Sequence, residues 1–211
     1  MSVCFDLLQQ IAHLNKVGVS CLASGSGADA VRAFKQALGV MAQVTQHPES
    51  SQLFQSRIHA CSPVPIHGMK TPFYLYSNGL VFEASTDIDI AFVNSVILFN
   101  LALAFHQRGL QCGREQALRK ALSLYDLSTQ LISDLSACSG ALLLVALNNS
   151  AQIQFELGEY QCSCETLQML EGEAVHLPLA DCSSAVLGQE HIDQIFLNVA
   201  LTKPPMTAAS A

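Results

Sequence analysis

Charge is what this chain has least of. Only 13% of its 211 residues are Asp, Glu, Lys or Arg, about half the share of an ordinary soluble domain. The 10 basic residues are outnumbered by 17 acidic ones and form no run, which argues against a groove that tracks nucleic-acid phosphates. The same scarcity removes the basic amphipathic helix that lies on an anionic membrane. Hydrophobic residues make up 50% of the chain and its mean hydropathy is positive, which raises the question of a membrane span. The most apolar window, Ile90–Phe105, contains Asn94, Ser95 and Asn100 and is shorter than the roughly 20 apolar residues a bilayer needs. The run Ala141–Leu147 is shorter still. Both read as buried helices of a soluble protein. The N-terminus lacks a basic region followed by an apolar core and a cleavage site, and Asp6 sits where a transit peptide avoids acid. The expected location is the cytoplasm, with the nucleus as the alternative, and not the secretory route.

Catalytic signatures are missing as well. There is no G-x-S-x-G elbow, no H-E-x-x-H, no P-loop and no dinucleotide-binding glycine pattern. Gly25 and Gly27 follow a predicted helix rather than a strand. The sequence therefore assigns no catalytic residue, no cofactor and no enzymatic activity. The eight cysteines, Cys4, Cys21, Cys61, Cys112, Cys138, Cys162, Cys164 and Cys182, show no paired spacing, as expected of reduced thiols in an intracellular protein. Cys162 and Cys164 stand two apart on a predicted helix and point to nearly opposite sides, so they cannot chelate one metal together. His47, His59, Cys61 and His67 share a short irregular stretch. Four such ligands would close a zinc site, but their spacing matches no zinc motif, and no metal is assigned.

What the chain does have is a repeat. Leu14–Leu38 reads LNKVGVSCLASGSGADAVRAFKQAL, and in it Gly18, Ala30, Phe34 and Ala37 are spaced as the small and large contact positions of a helix pair. The expected helices are Val3–Ala23 and Asp29–Val44, with Ser24-Gly25-Ser26-Gly27 as the turn. A second pair is expected at Ile88–Arg108 and Glu115–Asp134. Ala121, Tyr125 and Ser128 are its contact positions, and a longer loop around Gly109–Gly113 joins the helices. Thr86 with Asp89 makes a capping box for its first helix. A third pair begins near Ser139, with Ala151 at the small crossing position, a turn at Gly158-Glu159-Tyr160, and Ser163, Leu167 and Leu170 on the facing helix. Ser184–Leu201 caps the open end, and Pro204 and Pro205 stop it. One domain, residues 1–203, is followed by a frayed tail, 204–211.

An insert at 45–85 splits the first repeat from the second. Its prolines, Pro48, Pro63, Pro65 and Pro72, rule against a long helix. Phe73–Phe82 reads FYLYSNGLVF, and Asn78-Gly79 between β-prone flanks predicts a hairpin over 73–82. Its aromatic residues favour covering a helical face over offering a free edge to a partner strand.

On Phe99–His106 (FNLALAFH), Ala121–Tyr125 (ALSLY), Leu143–Ile153 (LLVALNNSAQI) and Phe196–Val199 (FLNV), together with the position of the insert, the chain resembles the tetratricopeptide (TPR) superfamily, and within it a group of TPR-like proteins of microalgae with no assigned activity. The resemblance implies an all-α TPR-like superhelix of about three helix pairs plus a capping helix, here with an inserted β-hairpin. It also implies a role as a scaffold or adaptor that binds a protein or peptide partner. A carboxylate-clamping groove is not expected, because Val19, Val145 and Asn149 stand at or near the positions where such a clamp needs cations. The candidate binding residues on the first helices of each pair are Asn15, Asn100, His106, Gln107, Asn148, Asn149, Gln152 and Glu156. Neutral amides can read an extended peptide through its backbone N–H and C=O groups. Asn100 and Asn149 lie in very apolar surroundings, where they could equally hold neighbouring helices in register. The first alternative to partner binding is self-association through the apolar faces near Leu142–Leu147 or the last helix, and the second is a small metal-binding protein that uses the histidines and cysteine of the insert.

Overall fold

A computed structural model describes residues 3–46, 62–64, 73–84, 89–132, 137–176 and 187–202. The described residues are mostly helical: α1 (Val3–Ala23), α2 (Gly27–Val44), α3 (Ile90–Cys112), α4 (Glu115–Ile132), α5 (Ala137–Glu156), α6 (Tyr160–His176) and α7 (Gln189–Thr202), with strands β1 (Ser62–Val64) and β2 (Gly79–Val81) between α2 and α3. The most extensive contacts are α1 with α2, α3 with α4 and α5 with α6. Successive pairs meet through α2 against α3 and α4 against α5, while α3 also touches both α1 and α5. The first helices of the pairs thus make an inner layer. α7 packs on α6 and α5 at the far end. The tail at 204–211 and the insert cluster His47, His59, Cys61 and His67 lie outside the described residues.

Each pair is locked at the spacing the sequence repeats. A Cβ on Gly18 would stand 2.4 Å from Cε1 of Phe34, whose ring is fully buried. The helices cross there because one side offers no side chain at all. In the second pair Gly109 faces Leu118 in the same way, with a Cβ clash of 2.5 Å. This overturns the expected loop at Gly109–Gly113. Gly109 lies inside α3, which continues to Cys112, and only Gly113 and Arg114 connect it to α4. The glycine at 109 serves close approach, and the helix-ending glycine is Gly113, at φ 60 with its N–H bonded to the Gly109 carbonyl. The third pair turns at Gly158, φ 77. At the remaining small positions serine hydroxyls bond the facing main chain: Ser128 donates to the Ser95 carbonyl at 2.9 Å and Ser163 to that of Ala151 at 2.8 Å. The Gly18→Ala variant should therefore lose roughly 2 kcal/mol despite alanine's better helix propensity, because the buried Phe34 ring has nowhere to go; a urea midpoint equal to or above the parent's would contradict this account.

α3 is apolar on nearly every side, as befits a helix surrounded by others. Its length and hydropathy would suffice to cross a membrane, yet 78% of its most apolar window is buried inside the protein. Its start also differs from the expected capping box. Asp89 is the N-cap, and its carboxylate accepts from the N–H groups of Ala91 at 2.8 Å and Phe92 at 3.4 Å.

The hairpin expected over 73–82 does not form. β2 pairs antiparallel with β1, Leu80 opposite Pro63, and residues 73–78 carry no strand pairing. A tight two-residue turn at Asn78-Gly79 would need positive φ, and neither residue has it. The aromatic residues do bury: Phe73, Tyr76 and Phe82 are at most 6% exposed. The physical reason for the missing turn lies in the groups that bond the segment's main chain.

Candidate functional site

Residues 73–82 run as an irregular segment along the inner helices, and their backbone is held by asparagine side chains. Asn198 on α7 takes both main-chain groups of Tyr74: the Tyr74 N–H donates to Oδ1 at 2.9 Å, and Nδ2 donates to the carbonyl at 2.8 Å. Asn149 on α5 does the same to Tyr76, at 3.0 and 2.9 Å. Asn100 on α3 does it to Leu80, at 2.9 and 2.7 Å. Two further amides complete the set. Asn148 donates to the Tyr74 carbonyl at 3.1 Å, and Asn15 on α1 donates to that of Leu80 at 2.8 Å. The amides also bond one another, Asn198 to Asn148 at 2.7 Å and Asn100 to Asn15 at 2.8 Å. Every one of the five is at most 1% exposed.

This arrangement follows from the chemistry of a carboxamide. It offers one acceptor and two donor hydrogens in a plane, matching the N–H and C=O of one extended residue. Asn149 spends its second hydrogen on the Tyr125 hydroxyl at 3.1 Å, and Asn100 and Asn198 spend theirs on a neighbouring asparagine. No polar group on these side chains is left without a partner, as burial demands.

A second polar chain leads away from the segment. The Tyr125 hydroxyl accepts from Asn149 and donates to His106 Nδ1, 3.4 Å away. The other ring nitrogen, Nε2, donates to Gln152 Oε1, since a carbonyl oxygen can only accept. Gln152 in turn donates to Glu156 Oε1 at 3.1 Å, where α5 reaches solvent. His106 is fully buried, and desolvation pulls its pKa down from 6.5 to about 4. Its bonds fix it as the neutral Nε2–H tautomer. Burial likewise pushes the Tyr125 hydroxyl well above its ordinary range. His106 stands three residues before Gly109, just as Asn15 precedes Gly18 and Asn148 precedes Ala151. The three pairs thus aim a polar side chain inward from one equivalent position.

The remaining contacts are apolar or capped. Phe73 meets Phe155 with ring centroids 4.4 Å apart, and Tyr76 sits between Phe99 at 6.2 Å and His191 at 5.2 Å. The Tyr74 hydroxyl bonds His191 Nδ1 at 2.5 Å, and burial raises its pKa from 10 to about 12. Asn78 Nδ2 donates to His191 Nε2 at 3.0 Å.

Of the residues singled out in the sequence, Asn15, Asn100, Asn148 and Asn149 converge on one segment and bond main-chain groups. Their object is the chain's own residues 74–80. His106, Gln152 and Glu156 form the branch that reaches this ladder through Tyr125. His106 and Gln152 are wholly buried, and only Glu156 meets solvent. Gln107 lies apart. It lines a cavity of about 480 Å³ with Arg108, Gln111 and the turn between α1 and α2, and its Nε2 is buried with no partner among the described residues. Sequence reasoning passed over Asn198, Tyr125 and His191 as site residues. The signal for Asn198 was present: an amide between Ile195 and Val199 on the buried face of α7. Among the described residues no three His, Cys, Asp or Glu side chains gather as a metal site. No family model matches the chain, and neither a curated protein nor a solved structure matches it.

Proposed function

We propose that this chain is a non-enzymatic TPR-like scaffold that binds a protein or peptide partner through its inner helices. The observation that carries the reading is the asparagine ladder. Asn198, Asn149 and Asn100 each grip both main-chain groups of an extended residue. This is the chemistry of peptide recognition without regard to side-chain identity. The repeated Gly18/Phe34 and Gly109/Leu118 crossings and the stacked pairs support the TPR-like superhelix. Affinity capture with the intact chain, followed by crosslinking, should recover a partner whose crosslinks fall on α1, α3, α5, α7 and residues 73–84. Capture of nothing above background under several conditions, or crosslinks confined to the outer helices, would count against the groove.

A second reading, self-association, is favoured by one observation. Phe196, Leu197 and Leu201 on α7 are 41%, 49% and 61% exposed at the end of the stack, where such apolar surface suits a contact. Sedimentation equilibrium separates the two readings, for a monomer at every concentration removes this one.

A further inference from the structure

The segment 73–82 is held as a bound peptide is held. Its main-chain bonds at Tyr74, Tyr76 and Leu80 go to side chains on four different helices. Among the described residues of the segment, 79–81 alone have a strand partner, and that partner belongs to the same connection between α2 and α3. Among the described residues, helices supply the side chains that bond the main chain of Tyr74, Tyr76 and Leu80, and the connection supplies the object read. Removal of the segment would strip Asn100, Asn149 and Asn198 of the main-chain groups they grip and would bare to water the apolar side chains packed beneath it, Phe99 and Phe155 among them. Apolar surface so bared favours an occupant.

The geometry points to an intramolecular placeholder: the chain's own residues 73–82 occupy a peptide groove, and the partner that exchanges with them is an extended, uncharged peptide of the same pattern. This inference rests on the scaffold reading and names its partner class and its control. The pattern follows from the contacts. Bidentate amides read residues at relative positions 1, 3 and 7, here Tyr74, Tyr76 and Leu80. An aromatic side chain fills the place of Phe73 against Phe155, another that of Tyr76 against Phe99, and an aliphatic one that of Leu80, which is 1% exposed. A hydroxyl at the first position meets His191. The partner carries no charge into the groove because Asn15, Asn100, Asn148, Asn149 and Asn198 carry none to answer it. The tethered segment competes at an effective concentration on the order of millimolar, so the resting groove is closed to weak ligands and opens to a matching one.

The test uses the full chain and a fluorescent synthetic peptide of residues 71–84. Tyr76→Lys places a charge where the tyrosine is fully buried and unseats the resident segment. That variant should bind the peptide more tightly than the parent chain by roughly tenfold or more, because the tethered competitor is gone. Adding Asn149→Ala to it should abolish the gain. If Tyr76→Lys alone does not fold, the peptide should restore its helicity, measured by circular dichroism, and a scrambled peptide should not. A variant that folds but binds no better than the parent overturns the placeholder, as does an unfolded variant that the peptide fails to rescue. Either result leaves the scaffold reading standing wherever affinity capture still recovers a partner.

Discussion

Asn149→Ala lowers the unfolding free energy by roughly 4 kcal/mol, the sum expected when several buried polar groups lose their partners at once. The variant removes four hydrogen bonds: those to the N–H and the carbonyl of Tyr76, the one donated to the Tyr125 hydroxyl, and the one accepted from Asn148 Nδ2 at 3.2 Å. Asn149, Tyr76 and Tyr125 are all 0% exposed, so bulk solvent does not reach the groups that the amide leaves. Asn149→Asp is the informative companion. The carboxylate keeps the acceptor for the Tyr76 N–H but cannot donate to the Tyr76 carbonyl, and it buries a charge with no cation among the groups described around it. It should be no better than alanine. Equilibrium urea unfolding reads both, and a loss under about 1 kcal/mol in Asn149→Ala, the scale of one ordinary hydrogen bond, would mean that the ladder is decorative.

Acid should weaken the fold through His106. In the folded chain the ring titrates near 4, against 6.5 when unfolded, because burial disfavours its charged form. A depressed native pKa means that the unfolded chain binds the proton first. The histidine's contribution is therefore complete above about pH 6.5 and is lost as pH falls toward 4. Across that window the loss is roughly 3 kcal/mol for a shift of this size. The structure adds a geometric reason. A protonated ring would carry a hydrogen on Nδ1, where the Tyr125 hydroxyl now donates, and the hydroxyl proton would have to leave its acceptor. Urea midpoints between pH 7 and pH 4.5 should fall for the parent chain and stay flatter for His106→Gln. Equal slopes would show that other groups, the acidic residues first, govern acid stability.

How much of this was legible in the sequence differs by feature. The helix pairs were, because Gly18, Ala30, Phe34 and Ala37 set two faces at one period, and the second-helix spacing returns at Ala121, Tyr125 and Ser128. Gly109 misled because glycine breaks helices and also lets them touch, and only the opposing Leu118 tells which role it has. That Asn15, Asn100, Asn148 and Asn149 face inward was legible, and so was the chance that Asn100 and Asn149 hold the fold together, since neutral amides in apolar surroundings bond backbone groups. Their object was not. Asn78-Gly79 carries the local signal of a hairpin, but a tertiary alternative won, in which the ladder supplies more and better-buried hydrogen bonds than a two-residue turn could. Asn198 escaped because it sits more than a hundred residues from Tyr74, and no local pattern joins them.

The most direct measurement is amide hydrogen exchange at Tyr74, Tyr76 and Leu80, resolved residue by residue. These N–H groups lie outside any helix, and only the Leu80 N–H lies in a strand, so in an ordinary loop they would exchange quickly. The asparagine ladder predicts protection at Tyr76 and Leu80 that approaches that of the α3 and α5 cores, and a loss of protection centred on Tyr76 in Asn149→Ala. Exchange at all three positions as fast as in the free 71–84 peptide would contradict the account, for it would mean that the inner helices do not hold an extended chain.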